Sequence, residues 1–218
     1  MNVLSLFDGI SCGIQAIKNI GIKCNYYASE IDPYALAISK KNHPEIFQLG
    51  NVLDVKASNL PKIDLLLGGS PCTNLSIAGK NNGFQEQSSL YFEFLRLWND
   101  LQPKYFLLEN VKMKKEYSDT ISKDLNVDYI EISSSEFSAQ SRKRYYWTNI
   151  PITKDLKNYK CSDVVVDILD IAVDDKYTVN TKREIIYNTQ KTHKIGYISK
   201  DSQGNRIYNP NYKGVINC

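Results

Sequence analysis

The strongest constraint on the fold is an alternation of short apolar runs with amphipathic stretches over roughly the first 150 residues. Val3-Leu4 with Leu6-Phe7, Tyr26-Tyr27-Ala28, Ile63 to Leu67, Tyr105 to Leu108, Tyr129 to Ile132 and Tyr145 to Trp147 are the runs, each bounded by polar, glycine or proline residues. Several are apolar at successive positions, as strands covered on both faces must be. Between them, Ile14, Ile17 and Ile20 recur at a helical spacing and stop at Gly21, a helix terminator. Asp32-Pro33 supplies an N-cap and a first-turn proline for a helix over Tyr34 to Lys41. Leu90, Phe92, Leu95 and Trp98 are expected to line one broad face of a helix starting near Ser88. Strand–helix alternation of this kind predicts an α/β fold with a mainly parallel, doubly wound sheet. After Pro151 the pattern fades, leaving Val164 to Val173 as one largely apolar stretch among Lys, Asp and Asn. The boundary is therefore expected near 150–160, with a main domain at 1–155 and a smaller, incomplete region at 156–218.

A chain of 218 residues, 42% hydrophobic and 23% charged, can bury one sizeable core and is neither disordered nor fibrous in composition. No run approaches the roughly 18 apolar residues of a membrane span, and the N-terminus enters Val3 without a basic leader. The expectation is a cytoplasmic protein with no membrane partner. A net charge of +3 neither requires nor excludes nucleic acid. The five cysteines, at 12, 24, 72, 161 and 218, are scattered without a C-x-x-C pair, and the two histidines stand alone, so neither a disulfide framework nor a metal site is expected.

In open parallel sheets ligands sit outside the carboxyl ends of the strands, so the residues after each apolar run carry the chemistry. The first run ends in Phe7-Asp8-Gly9-Ile10-Ser11-Cys12-Gly13, where glycines let the backbone approach a ligand and a helix opens with unpaired N–H groups. A glycine-rich turn alone is equally an ordinary tight turn. Glu30-Ile31-Asp32 ends the second, where an acid holds a ribose hydroxyl pair; the plain alternatives are a solvated loop acid for Glu30 and a helix cap for Asp32. Asp54 is placed to reach an adenine amine, or to close a turn. The fourth run ends in Gly68-Gly69-Ser70-Pro71-Cys72. A lone cysteine is usually a small buried hydrophobe. Cys72 instead follows two glycines and a proline on a polar stretch, the setting of a working thiol. The loop beyond it, through Gly79-Lys80-Asn81-Asn82-Gly83, has the length and glycine content of a lid. Glu109 directly follows four apolar residues, so desolvation is expected to raise its pKa and let it hold a proton. Gln140-Ser141-Arg142-Lys143-Arg144 beside Tyr145-Tyr146-Trp147 suits phosphate contact and base stacking, or is a solvated charge run.

In order and spacing, Phe7-Asp8-Gly9 to Gly13, Glu30, Asp54, Ser70-Pro71-Cys72, Glu109-Asn110-Val111 and Gln140-x-Arg142-x-Arg144 resemble the successive signature motifs of the DNA (cytosine-5)-methyltransferases, continuously over about residues 2 to 151. The resemblance implies a Rossmann-like fold that binds S-adenosylmethionine through Phe7, Asp8, Gly9, Gly13, Glu30, Ile31, Asp54 and Pro71. It implies double-stranded DNA as partner, with a flipped cytosine attacked at C6 by Cys72, held by Glu109 and supported by Arg142 and Arg144. Ser76, Lys80, Asn110 and Gln140 are implied as DNA contacts. Thr73-Asn74 follows Pro71-Cys72 where many bacterial members have glutamine, a motif style closer to the animal de novo enzymes and phage-like relatives.

Family members continue into a target-recognition region and a closing motif. Lys194-Ile195-Gly196-Tyr197 and Lys200 to Tyr208 resemble the segment leading into recognition, and the chain stops at Cys218. The expectation is therefore the catalytic half of an enzyme, completed by a second polypeptide. The rival from another class is a non-catalytic remnant or regulatory subunit that keeps the fold. A tRNA cytosine methyltransferase shares the chemistry, but its Cys-Phe-Thr tripeptide is absent. A dinucleotide oxidoreductase shares the first glycine turn and leaves Cys72 with Glu109 unexplained.

Overall fold

In a computed structural model of the chain, the described residues are 1–71, 89–134 and 140–152, together with the backbone of four short strands further on. Contacts divide the chain into two compact units, Met1–Glu131 with Arg144–Ile152, and Ile132–Lys143 with Thr153–Cys218.

The first unit begins with β1 (Asn2–Leu6), α1 (Cys12–Asn19), β2 (Asn25–Ser29), α2 (Pro33–Asn42) and β3 (Phe47–Gln48). Two short 3-10 turns, Val52–Asp54 and Ala57–Asn59, lead to β4 (Leu65–Gly68) and α3 (Ser89–Leu101). β5 (Tyr105–Val111), α4 (Lys115–Leu125), β6 (Ile130–Ser133) and β8 (Lys143–Thr148) follow, with β7 (Gln140–Ser141), which belongs to the second unit, between the last two in sequence. One seven-stranded sheet has the order β3-β2-β1-β4-β5-β8-β6. The pairs from β3 through β5 are parallel, and β8 lies antiparallel to β5. The doubly wound sheet expected from the alternating runs is thus present, with one reversed strand.

Period-two alternation along β1 sends Leu4 and Leu6 to one face of the sheet and Val3 to the other. The first face packs with Leu66, Phe94, Leu97, Phe106, Leu108 and Trp147, the second with Ile14, Ile17, Tyr26 and Ala28. Each fully buried side chain of this size contributes about 1.5–3 kcal/mol.

Helix boundaries follow local chemistry. Asp32 caps α2 by accepting from the Tyr34 N–H at 2.9 Å, with Pro33 in the first turn. α1 ends before Gly21, whose φ of 76° lets its N–H and that of Ile22 return to Lys18 and Ile17 carbonyls. Ile20, grouped with Ile14 and Ile17 by spacing, is 70% exposed because the helix has already ended there. The expected face of α3 is present in part, with Leu90, Leu95 and Trp98 packed half-buried against the core. Tyr91, Phe94 and Leu97 are fully buried, while Phe92 is exposed. At 100° per residue Phe92 lies about 160° from Phe94, which sets the buried stripe. α4, which apolar periodicity did not reveal, buries only Ser118, Ile121 and Leu125 and is clasped by the Trp147 indole donating to Ser122 Oγ at 2.9 Å.

In the second unit, β9 (Ile185–Tyr187), β10 (Lys194–Ile198) and β11 (Arg206–Tyr208) form an antiparallel sheet in the order β11-β10-β9. β12 (Ile216–Asn217) pairs in parallel with β7. Among the described residues no helix is long and apolar enough to cross a membrane.

Candidate active site

Two clusters of functional groups stand at the carboxyl ends of the first unit's strands. At the exits of β1 and β2, the Glu30 carboxylate gathers three backbone N–H groups. Oε2 accepts from Gly9 at 2.7 Å, and Oε1 from Ile31 at 2.8 Å and Asp32 at 2.9 Å. Phe7, Glu30, Ile31 and Pro71, all expected from the sequence, line one cavity of about 130 Å³. Ser29, Asn51, Val52 and Leu90 complete its wall and were missed. The Asn51 side chain caps the Val52–Asp54 turn by accepting from the Leu53 N–H at 3.1 Å. That turn is held from α3 by Arg96, which donates to the Val55 carbonyl at 3.0 Å.

Four other expected cofactor residues are placed differently. Asp54 is exposed and is not part of the cavity wall. The Asp8 carboxylate turns inward, accepting from the Tyr26 hydroxyl at 2.8 Å and from the Ser11 hydroxyl. Gly9 contributes its N–H to Glu30 rather than a surface to the cavity. At Gly13 a Cβ would overlap the Tyr26 hydroxyl and lie 2.9 Å from Leu67 Cδ1, so internal packing accounts for that glycine.

The second cluster forms where β4 and β5 end. Glu109 on β5 and Arg144 on β8 come from neighbouring antiparallel strands, and Arg144 Nε lies 2.8 Å from Glu109 Oε1. The buried Nε is not aimed along a hydrogen-bond line, so this contact is primarily a charge pair. The Glu109 side chain is 32% exposed, so the desolvation expected after four apolar residues is partial. Its other oxygen faces the β4 exit, where a Cβ on Gly69 would sit 3.3 Å from Oε2. The turn that leads through Ser70 into Pro71 therefore passes directly against this carboxylate.

Asn110 calls for a correction. Expected at DNA, it is 1% exposed, and its Nδ2 donates to Ser70 Oγ at 3.1 Å and, at 3.4 Å, to the Ser70 carbonyl. Its Oδ1 accepts from the Val111 N–H at 2.8 Å. The side chain fastens the β4 exit turn to β5 and offers no surface to a duplex. Cys72, Ser76 and Lys80 lie outside the described residues. Gln140 belongs to β7, and its side chain is likewise outside them; Arg142 is exposed and belongs to the second unit.

The sequence profile of the C-5 cytosine-specific DNA methylases matches residues 1–215. The type II methyltransferase M.HhaI of Haemophilus parahaemolyticus is 28% identical over 233 aligned positions, covering 95% of this chain and 71% of its own length. M1.ScrFI of Lactococcus lactis, also a type II methyltransferase, is 34% identical over 83% of this chain and 51% of its own. The orphan methyltransferase M.Rho11sI of Bacillus phage rho11s is 39% identical over 51% of this chain, which spans only 23% of that relative. Among solved structures, an E. coli prophage protein assigned as a DNA modification methyltransferase superposes with a TM-score of 0.60 and 25% identity, over 94% of this chain and 62% of that one. The Dnmt2 methyltransferase of S. pombe, at 21% identity and a TM-score of 0.59, shares the fold.

Proposed function

This chain belongs to the C-5 cytosine-specific DNA methylase family, and from that premise we propose that it transfers a methyl group from S-adenosylmethionine to C5 of a cytosine in DNA through a covalent bond to Cys72. The observation that carries the reading is the Glu109 carboxylate, met by Arg144 on one oxygen and by the Gly69 turn on the other, at the point where the chain runs into Pro71-Cys72.

The cavity at the β1 and β2 exits fits the donor. Apolar walls from Phe7, Ile31, Val52 and Leu90 suit an adenine ring, and the Glu30 carboxylate retains one lone pair on Oε2 beyond the three that meet the backbone, suiting a ribose hydroxyl. When bound, S-adenosylmethionine supplies an electrophilic methyl group on its sulfonium.

The residues then divide the work. Cytosine C5 is not nucleophilic until C6 carries a substituent, so the Cys72 thiolate adds to C6 and the displaced ring electrons reach C5. One Glu109 oxygen accepts from the exocyclic amine of the extruded base, and a proton taken up by the carboxyl group is shared with N3, neutralising the negative charge as it develops there. Arg144 keeps that carboxylate oriented. C5 takes the methyl group, the C5 proton then leaves, and expulsion of Cys72 restores the aromatic ring.

Duplex DNA containing 5-fluorocytosine tests this, because fluorine at C5 blocks the final elimination and traps the bond to sulfur. Purified protein with methyl donor, alone and with any second polypeptide that supplies target recognition, is expected to give a covalent adduct by mass spectrometry that Cys72→Ser abolishes. A wild-type protein that binds the donor yet forms no adduct in either arm sinks the proposal.

A further inference from the structure

Three of the five residues from Phe7 to Ser11 occupy the left-handed backbone region, at φ 57° for Phe7, 58° for Gly9 and 66° for Ser11. Glycine adopts this freely; Phe7 and Ser11 carry a Cβ and do not. Such a conformation persists only where its surroundings over-determine it. Here the fastening is a chain of buried hydroxyls around one carboxylate. Tyr26, the second residue of β2 and 1% exposed, donates to Asp8 Oδ1 at 2.8 Å, and Ser11, fully buried, donates to Asp8 Oδ2. Ser11 Oγ lies 2.6 Å from Ser39 Oγ on α2, which accepts from Gln48 Nε2 on β3 at 3.1 Å. The Asp8 N–H donates to the Ser29 carbonyl at 3.2 Å. Burial, and then the Asp8 charge, push the Tyr26 phenol well above its ordinary pKa, so it remains a donor at any working pH.

None of Asp8, Ser11 or Tyr26 lines the cavity, yet Phe7 does, and it is one of the two strained residues that carry a Cβ. We propose that Tyr26, acting through Asp8 and Ser11, is a positioning residue that holds Phe7 in the wall of the cofactor cavity before the donor arrives. The inference rests on the donor reading of that cavity and adds to it a cause for the loop's shape. It also explains Gly13, whose missing Cβ leaves room for the hydroxyl that does the holding.

The test is Tyr26→Phe in the full chain, read in two ways. Calorimetric titration with S-adenosylhomocysteine is expected to show affinity weakened roughly ten- to a hundredfold, the scale of one hydrogen bond to a charged group. Amide hydrogen exchange at Gly9 and Ser11 is expected to accelerate about tenfold, with Leu66 in β4 and Leu108 in β5 unchanged. Asp8→Asn, which keeps an acceptor, gives a smaller effect on both. Gly13→Ala reproduces Tyr26→Phe and adds little to it in the double variant, since both remove the same contact. Unchanged exchange at Gly9 and Ser11, exchange that rises throughout the sheet, or additive losses in the double variant each overturn the proposal. If the wild type binds no S-adenosylhomocysteine, the donor reading fails, and the exchange and double-variant measurements still decide whether Tyr26 holds the loop.

Discussion

At the exits of β1 and β2 the backbone supplies the bonds, with three N–H groups converging on Glu30. At the exits of β4 and β5 the contacts start from side chains, the charge pair of Arg144 with Glu109 and the hydrogen bond from Asn110 to Ser70. The difference matches two tasks. A carboxylate ringed by backbone donors is fixed as the chain folds, which suits a ligand that must be bound in one pose. A carboxylate paired with a guanidinium on the neighbouring strand and set against the Gly69 turn suits, on the proposed function, a base whose charge changes during reaction. The first end thus reads as a binding device and the second as a reacting one.

The sharpest way to break that division is Glu109→Gln. It should lower kcat at least about 100-fold, the scale for removing one preorganised charge-stabilising group. Calorimetry with S-adenosylhomocysteine should show donor affinity unchanged within about twofold. If affinity falls in parallel with rate, the two ends are one coupled unit and the division is wrong.

The converse substitution is Glu30→Ala. It strips the acceptor from the Gly9, Ile31 and Asp32 N–H groups and, on the proposed donor reading, from the ribose, so donor affinity should fall by roughly ten- to a hundredfold. Adduct formation at saturating donor should stay within about threefold of wild type, because nothing at Glu109 has moved. Unchanged donor affinity would refute the ribose assignment.

The same two ends differ in how far they could be read from the sequence. Glu30 was legible because it follows an apolar run, and strand ends are where an open sheet places its ligands; Phe7, Ile31 and Pro71 were legible through the family motifs that stand at those same ends. Asn51, Val52 and Leu90 were not. They reach the cavity from a 3-10 turn and from the first turn of α3, and no periodicity in the chain reports that approach. Asp8 and Asn110 stand in the right motifs and point the wrong way. Motif position fixes the backbone, whereas side-chain direction depends on partners distant in sequence, Tyr26 for Asp8 and Ser70 for Asn110. The face of α3 was legible in part: Leu90, Leu95 and Trp98 do pack against the core, whereas Phe92 was included and Tyr91, Phe94 and Leu97 were not, because apolar residues flank the buried stripe on both sides.

Asn110→Ala separates the placement seen here from the DNA contact its motif suggested. Loss of the amide leaves Ser70 and the Val111 N–H short of partners in a buried setting, costing about 1–3 kcal/mol in urea denaturation. Duplex affinity by fluorescence anisotropy should be unaltered at temperatures where the variant is folded. Weaker duplex binding with unchanged stability would return Asn110 to the DNA surface.

The smallest expected effect lies beside the first end and bounds it. Asp32 touches Glu30 through its backbone N–H, while its side chain turns to the Tyr34 N–H and caps α2. Replacing it with alanine keeps the first contact and removes the second. Stability should therefore fall by about 1 kcal/mol, the usual effect of losing an N-cap, with affinity for S-adenosylhomocysteine unchanged. A loss of affinity without a loss of stability would mean that the Asp32 carboxylate, rather than Glu30 alone, reaches the ligand. The binding end would then extend onto α2, and its contrast with the reacting end could no longer rest on backbone donors converging on one acid.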